Sequence, residues 1–235
     1  MKEQAGDILV FLPGAGEIRR AQEILEIDQV NATMFPLYGD MTFQKQQEAL
    51  LPNSQGLRKV VLATSIAETS LTIEGITTVI DCGYSRVPKF DPRSGLTKLE
   101  TVKVTRDAAD QRAGRAGRLG PGVCYRLWAQ GTHHHLLPSR QPEVLEADLA
   151  PLMLELFNWG AGVTELNWIT SPPTGALNQA NELLKDLGAI ENNIITSRGK
   201  EMLRLPTHPR IAHMLLSANS EREKLLAIDL SLIHI

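Results

Sequence analysis

The chain of 235 residues has little that marks an extracellular or membrane protein. Its two cysteines, Cys82 and Cys124, lie far apart with no CxxC, so neither a disulfide framework nor a cysteine zinc site is suggested. No run approaches the roughly 18 consecutive apolar residues of a membrane-spanning helix. Residues 1–7 lack the apolar stretch of a secretory signal. Hydrophobic residues make up 43% and charged residues 22%, which argues against a mostly disordered chain. The expectation is a soluble, cytoplasmic protein with one or two cores and no membrane partner.

Two further absences bear on chemistry. No G-x-x-x-x-G-K-[ST] loop occurs, and no acidic D-E-x-x box follows a strand. The chain carries arginines suited to phosphate, without a loop to cradle phosphates or an acid for Mg²⁺. That pattern suggests half of a shared site.

The net charge of −3 at first disfavours a polyanionic partner, but its distribution does not. From Arg86 to Arg126 there are ten basic and four acidic residues, net +6. A chain with this asymmetry can bind a polyanion locally while staying soluble overall.

The first half alternates strand and helix signals. Strands are expected at 8–12, 32–37, 59–63, 77–81 and 123–128, with helices at 17–27, 43–51 and 107–118. Strands apolar throughout, alternating with helices, predict a parallel sheet covered on both faces. Residues 86–90 and 96–104 flank a Pro/Gly turn at 91–95 and predict a β-hairpin standing off the sheet. Composition shifts after about residue 130. One amphipathic helix is expected over 143–159, with Leu145, Leu149, Leu152 and Leu156 along a stripe. A second is expected over 176–187, closed by Gly188, then short strands at 189–190 and 194–196, and a helix over 210–218. Helices followed by a small hairpin suggest a winged-helix unit. The stretch 229–235 has no closing polar residue, and a truncated or foreign end is expected there.

Residues 111–118 read QRAGRAGR, the sharpest local feature. On a continuous helix Gln111, Arg115 and Arg118 would share one face. Two internal glycines cost roughly 1 kcal/mol each against alanine, so Gly114 and Gly117 make sense where another backbone or a ligand approaches. Arginine forks onto phosphate oxygens, and glutamine can orient a water. The bland reading of the same residues is a basic surface helix. Residues 63–72, ATSIAETSLT, place small hydroxyls at the carboxyl end of a strand, where open α/β sheets bind ligands. A loop capping a helix would look the same. The GxG at Gly14–Gly16 fails as a dinucleotide fingerprint, because Arg19 stands where the third glycine belongs. His133–His135 cannot easily share one ion, since consecutive side chains diverge. A solvated turn is expected there.

Taken in order, LVFLPGAGEI at 9–18, PLYGD at 36–40, ATSIAETSLTI at 63–73, FDPRSGL at 90–96 and QRAGRAGR at 111–118 resemble the motifs of DEAH-type superfamily 2 RNA helicases. The resemblance covers residues 6–218. It implies an α/β fold, a RecA-like parallel sheet with helices on both faces and a protruding β-hairpin, followed by a small winged-helix domain. The implied boundaries are 1–130 for the second RecA-like lobe, 131–209 for the winged helix and 210–235 for the start of a helical ratchet domain. The nucleotide loop and DEAH box would lie on a first lobe outside this chain, with the Mg²⁺ ligands.

Roles implied by the resemblance follow residue by residue. Arg115 and Arg118 match arginine fingers for the γ-phosphate of ATP, and Gln111 matches the residue placing the attacking water. Thr72 and Glu74 match positions near the nucleotide ribose. Gly14, Gly39, Thr64 and Ser65 match positions holding the RNA backbone. Arg86 and Lys89 belong to the hairpin that guides RNA, either a single strand or a duplex with an overhang. Residues 178–187 would form the core helix of the winged-helix part, a hinge for the ratchet. Relatives usually carry Asn at the position of Ser65, an aromatic near Leu50 and, among eukaryotes, Asp at Glu74. The aliphatic Leu50 implies weak selectivity among nucleoside triphosphates. A nucleic-acid-binding module without catalysis and a DNA helicase are the competing readings.

Overall fold

The computed structural model describes residues 6–53, 56–69, 71–91, 94–118 and 120–233. Ser70 of the hydroxyl-rich loop, and Pro92 and Arg93 of the hairpin turn, lie outside them. The described chain divides into two compact units. One holds residues up to Pro88 with Leu99–Arg140; the other holds Lys89–Lys98 with residues from Gln141 onward.

Along the chain the order begins β1 (Asp7–Phe11), α1 (Ala15–Ile27), β2 (Thr33–Leu37), α2 (Phe43–Leu50), β3 (Lys59–Ala63) and β4 (Ile76–Asp81). Then come β5 (Tyr84–Asp91), β6 (Leu96–Lys103), α3 (Arg106–Ala113), β7 (Val123–Arg126) and α4 (Gln130–His134). Five strands pair in the order β2-β3-β1-β4-β7, every pair parallel. β3 is buried at all five residues, as an apolar strand in a sheet covered on both faces should be. Because side chains alternate along a strand, Leu9, Phe11, Val61 and Ala63 pack on one face with Leu37, Ala49 and Val79. Ile8, Val60 and Leu62 pack on the other with Ile18 of α1. Each buried Val, Leu, Ile or Phe among them contributes about 1.5–3 kcal/mol. The expected fold class is therefore observed. The hairpin is observed too, as β5 and β6 pair in a separate two-stranded sheet.

Among the polar residues built into this unit, Lys59 ties off a helix end. Lys59 is fully buried, and its Nζ donates to the carbonyls of Ala49 (3.3 Å), Leu50 (3.5 Å) and Leu51 (2.8 Å). These are last-turn carbonyls of α2, which lack partners within the helix. Burial pushes the Lys59 pKa down, while Asp7 and Glu74 oppose the shift.

Three expectations need correction. The helix expected over 107–118 ends at Ala113, and residues 114–117 form turns. Gly114 and Gly117, poor helix formers, fall in that turn rather than inside a helix. The helix expected over 143–159 begins only at Ala150 as α5 (Ala150–Trp159), after a short 3₁₀ turn at Glu143–Leu145. Pro151 sits in its first turn and cannot continue a helix from upstream, because its ring clashes with the carbonyl four residues back. Asp148 Oδ1 caps the start by accepting from the Ala150 N–H at 2.8 Å. His133 and His134 lie in α4 rather than in a solvated turn, and the half-buried His133 ring stacks on Trp128 at 6.3 Å.

The second unit continues with α6 (Thr174–Asp186), β8 (Ile190–Glu191), β9 (Ile194–Ile195), α7 (Ser197–Leu203), α8 (Pro209–Ser217) and α9 (Glu221–Ile233). Its core joins Leu149, Leu154 and Leu156 to Leu184 of α6 and Met202 of α7. β8 and β9 are antiparallel, joined by Asn192 and Asn193 with φ of 50° and 60°. Two positive φ values in a two-residue loop match the turn that suits the strands' twist, and Asn tolerates it. No described helix is long and apolar enough to cross a membrane.

Candidate nucleic-acid and nucleotide interface

All strands of the first sheet are parallel, so the loops leaving β1, β2, β3 and β4 emerge at one edge. Backbone hydrogen bonds lace these loops together. Leu12 N–H donates to Ala63 O at 2.8 Å, Thr64 N–H to Leu37 O at 3.1 Å, and Cys82 N–H to Phe11 O at 3.3 Å. Gly14, Gly39, Thr64 and Ser65 therefore share that edge. Gly14 precedes α1 in extended conformation, with φ −162°. A Cβ there would lie 2.8 Å from the guanidinium of Arg86, the end of a flexible side chain that can move aside. Arg86 itself pairs with Glu17 at 3.1 Å. Gly39 is exposed, with open space where a Cβ would stand. Thr64 and Ser65 are half-buried at the start of a 3₁₀ turn, Ser65–Ala67. Lys89 is exposed on β5 in the second unit.

The second half of the site is a ladder of arginines on residues 68–72. Arg112, fully buried, donates from Nε (2.8 Å) and Nη2 (2.6 Å) to Glu68 Oε1. Its Nη1 donates to Asp81 Oδ1 at 2.7 Å and to Tyr84 O at 3.2 Å, and its guanidinium lies 4.8 Å over the Phe11 ring. Arg115 donates to the carbonyls of Leu71 (2.6 Å) and Glu68. Arg118, exposed, donates to Thr72 Oγ1 at 2.9 Å. Gln111 and Glu74 are exposed. Burial and then the Arg118 charge push the Arg115 pKa down, opposed by Glu68; a guanidinium stays charged all the same. Thus Arg115, Arg118 and Thr72, singled out from sequence, do converge.

The sequence profile of the helicase conserved C-terminal domain matches residues 1–120. The chain belongs to this helicase C-terminal domain family. Over 99% of its length it is 44% identical to the ATP-dependent RNA helicase HrpB of Escherichia coli K12, covering 29% of that protein. It is 36% identical over 91% of its length to the ATP-dependent RNA helicase DHX33 of Drosophila melanogaster, covering 32% of it. A crystal structure of the Escherichia coli DEAH/RHA helicase HrpB superposes with a TM-score of 0.88 over 99% of this chain and 30% of that one. The chain thus spans about a third or less of the curated relatives it matches.

Within this helicase C-terminal domain, Arg112 is the residue that sequence reasoning missed. Its signal was present: Glu68 lies in the loop after β3, Asp81 ends β4, and a buried charge needs partners. Cys82 and Cys124 have thiol pKa values pushed up, chiefly by burial, which makes both poor nucleophiles.

Proposed function

We propose that this chain is the second RecA-like lobe, winged helix and start of the ratchet region of an ATP-dependent RNA helicase. The boundaries we assign are 1–130, 131–209 and 210–235. The whole protein would couple ATP hydrolysis to translocation along RNA, or to its unwinding. The observation that carries this reading is the arginine ladder on residues 68–72, which aligns Arg115 and Arg118 beside Thr72.

In this reading Arg118 presents an exposed guanidinium tied to the Thr72 hydroxyl, a neutral partner with which an incoming phosphate oxygen competes easily. Arg115 leaves two backbone carbonyls to do the same. Both would stabilise charge developing on the transferred phosphoryl group, an effect worth roughly 10³–10⁵ in rate in other systems. Gln111 would orient the attacking water, and Thr72 and Glu74 would face the ribose. Among the described residues no group of three or more His, Cys, Asp or Glu could hold a metal. The Mg²⁺ ligands would lie on the first lobe.

The opposite part of the edge would hold RNA by its backbone. Gly14, Gly39, Thr64 and Ser65 present close-approach backbone and small hydroxyls, and Arg86 adds positive charge; Lys89, which falls in the second unit, is proposed separately as an RNA contact. Contacts of this kind are sequence-tolerant and weaken with salt.

The test is RNA-stimulated ATP hydrolysis by this chain joined to a DEAH-type first lobe, with Arg118→Ala alongside. RNA-dependent turnover that is lost in the variant supports the shared site. Equal turnover in both overturns the finger role. No turnover in either, with RNA binding intact, leaves a nucleic-acid-binding module.

A further inference from the structure

We infer that Gln46 is a positioning residue that aims the backbone N–H groups of Gly39 and Asp40 at a phosphate of the bound strand. The inference rests on the RNA-facing role proposed for Gly39 and names the atoms that would carry it.

Gln46 lies in the middle of α2, half-buried, and turns back onto the loop between β2 and α2. Its Nε2 donates to three carbonyls of that loop: Met41 at 3.1 Å, Gly39 at 3.2 Å and Tyr38 at 3.5 Å. A side-chain amide has two N–H groups, so these three oxygens crowd around one donor. The loop's carbonyls are thereby gathered on the Gln46 side.

The peptide bonds among the described residues are trans, and a trans peptide is planar with its C=O and N–H pointing in opposite directions. Holding the Tyr38 carbonyl inward turns the Gly39 N–H outward. Holding the Gly39 carbonyl inward turns the Asp40 N–H outward. Two successive outward N–H groups form a small concavity suited to an anionic oxygen. Gly39 and Asp40 are both exposed, and no atom within 4 Å would meet a Cβ at Gly39, so a ligand has room. The Thr64 N–H bond to Leu37 O ties this loop's entry to the proposed contacts at Thr64 and Ser65. An RNA backbone is the occupant consistent with that neighbourhood. The exposed Asp40 carboxylate opposes any anion here, so the gain has to come from the oriented amides.

The experiment measures binding of a fluorescein-labelled oligouridylate to the 235-residue chain by anisotropy, across a salt series. The variants are Gln46→Ala, which removes the clamp, and Gln46→Glu, which faces the three carbonyls with an acceptor. Arg86→Ala serves as the comparison, and circular dichroism melts follow folding. Affinity should fall roughly tenfold in Gln46→Ala and further in Gln46→Glu, the order of a lost hydrogen bond to a charged group. The slope of log affinity against log salt should stay at the wild-type value in both, because a backbone amide releases no counterion. In Arg86→Ala the slope should flatten by about one. Wild-type affinity in both Gln46 variants, with binding by the parent chain intact, overturns this inference alone. A lowered melting temperature with unchanged affinity in the cold also overturns it, since it would make Gln46 merely structural. Absence of binding by the parent chain overturns the RNA reading as well.

Discussion

Arg112 sets two guanidinium nitrogens on one oxygen of Glu68, at 2.8 and 2.6 Å, and is wholly shielded from solvent. The third nitrogen reaches Asp81, whose Oδ1 also accepts the Gly83 N–H at 2.9 Å. One buried cation thus joins the loop after β3, the helix α3 and the end of β4. Removing one partner of a buried pair leaves an uncompensated charge and costs about 3–5 kcal/mol. Arg112→Met should therefore destabilise the first unit by that order, read as a lowered urea midpoint. A change below about 0.5 kcal/mol, the range of ordinary surface substitutions, would refute the structural importance of the cluster.

Arg115 and Arg118 should separate by stability even though the proposal gives them one chemical task. Arg115 is only 8% exposed and anchored on two carbonyls, whereas Arg118 is exposed. Arg115→Ala should lower the melting temperature of the 235-residue chain by several degrees, the scale set by about 1 kcal/mol. Arg118→Ala should leave it within a degree. Calorimetry on the two variants checks this, and equal melting temperatures would contradict the anchoring.

Asp148 accepts from His208 Nε2 at 3.0 Å and caps α5 through the Ala150 N–H. Burial pushes its pKa up, but the hydrogen bonds from His208 and Ala150 and the charges of His208 and Arg210 outweigh this, leaving it below the ordinary carboxylate value. A carboxyl with a depressed folded-state pKa adds stability above its unfolded value, near pH 4. That stability is lost as pH falls through the lower folded value. The second unit of the wild-type chain should therefore weaken below about pH 4. Asp148→Asn should be less stable at pH 7 and should show a shallower loss on acidification, measured by denaturant melts over pH 2–7.

The centre of the sheet was readable because β1 and β3 are short runs of mainly apolar, mostly buried residues, and β1 closes at Pro13-Gly14. The span 59–63 matches β3 residue for residue. The helix boundaries were less readable where one residue overrides a periodic pattern. The leucine stripe through Leu145 and Leu149 continues smoothly into α5, yet Pro151 breaks the backbone underneath it. α4, α7 and α9 carry no strong stop or clear stripe and went unforeseen. The site was legible as residue types and hidden as geometry. On a continuous helix Gln111, Arg115 and Arg118 would share one face, but α3 stops at Ala113 and a turn delivers the last two arginines. Arg112 is hidden from local spacing, because its importance comes from Glu68 and Asp81, 44 and 31 residues away.

Lys59 makes the first unit report on its own opening. Its amine is enclosed at the end of α2, with three carbonyls occupying the directions from which an electrophile would come. An acylating reagent can reach that nitrogen only when α2 lifts from β3. Surface lysines would be modified at once, and Lys59 at a rate set by the population of the opened form. Mass-spectrometric labelling at this one position would give a local clock for the sheet, in a chain whose two units need not unfold together.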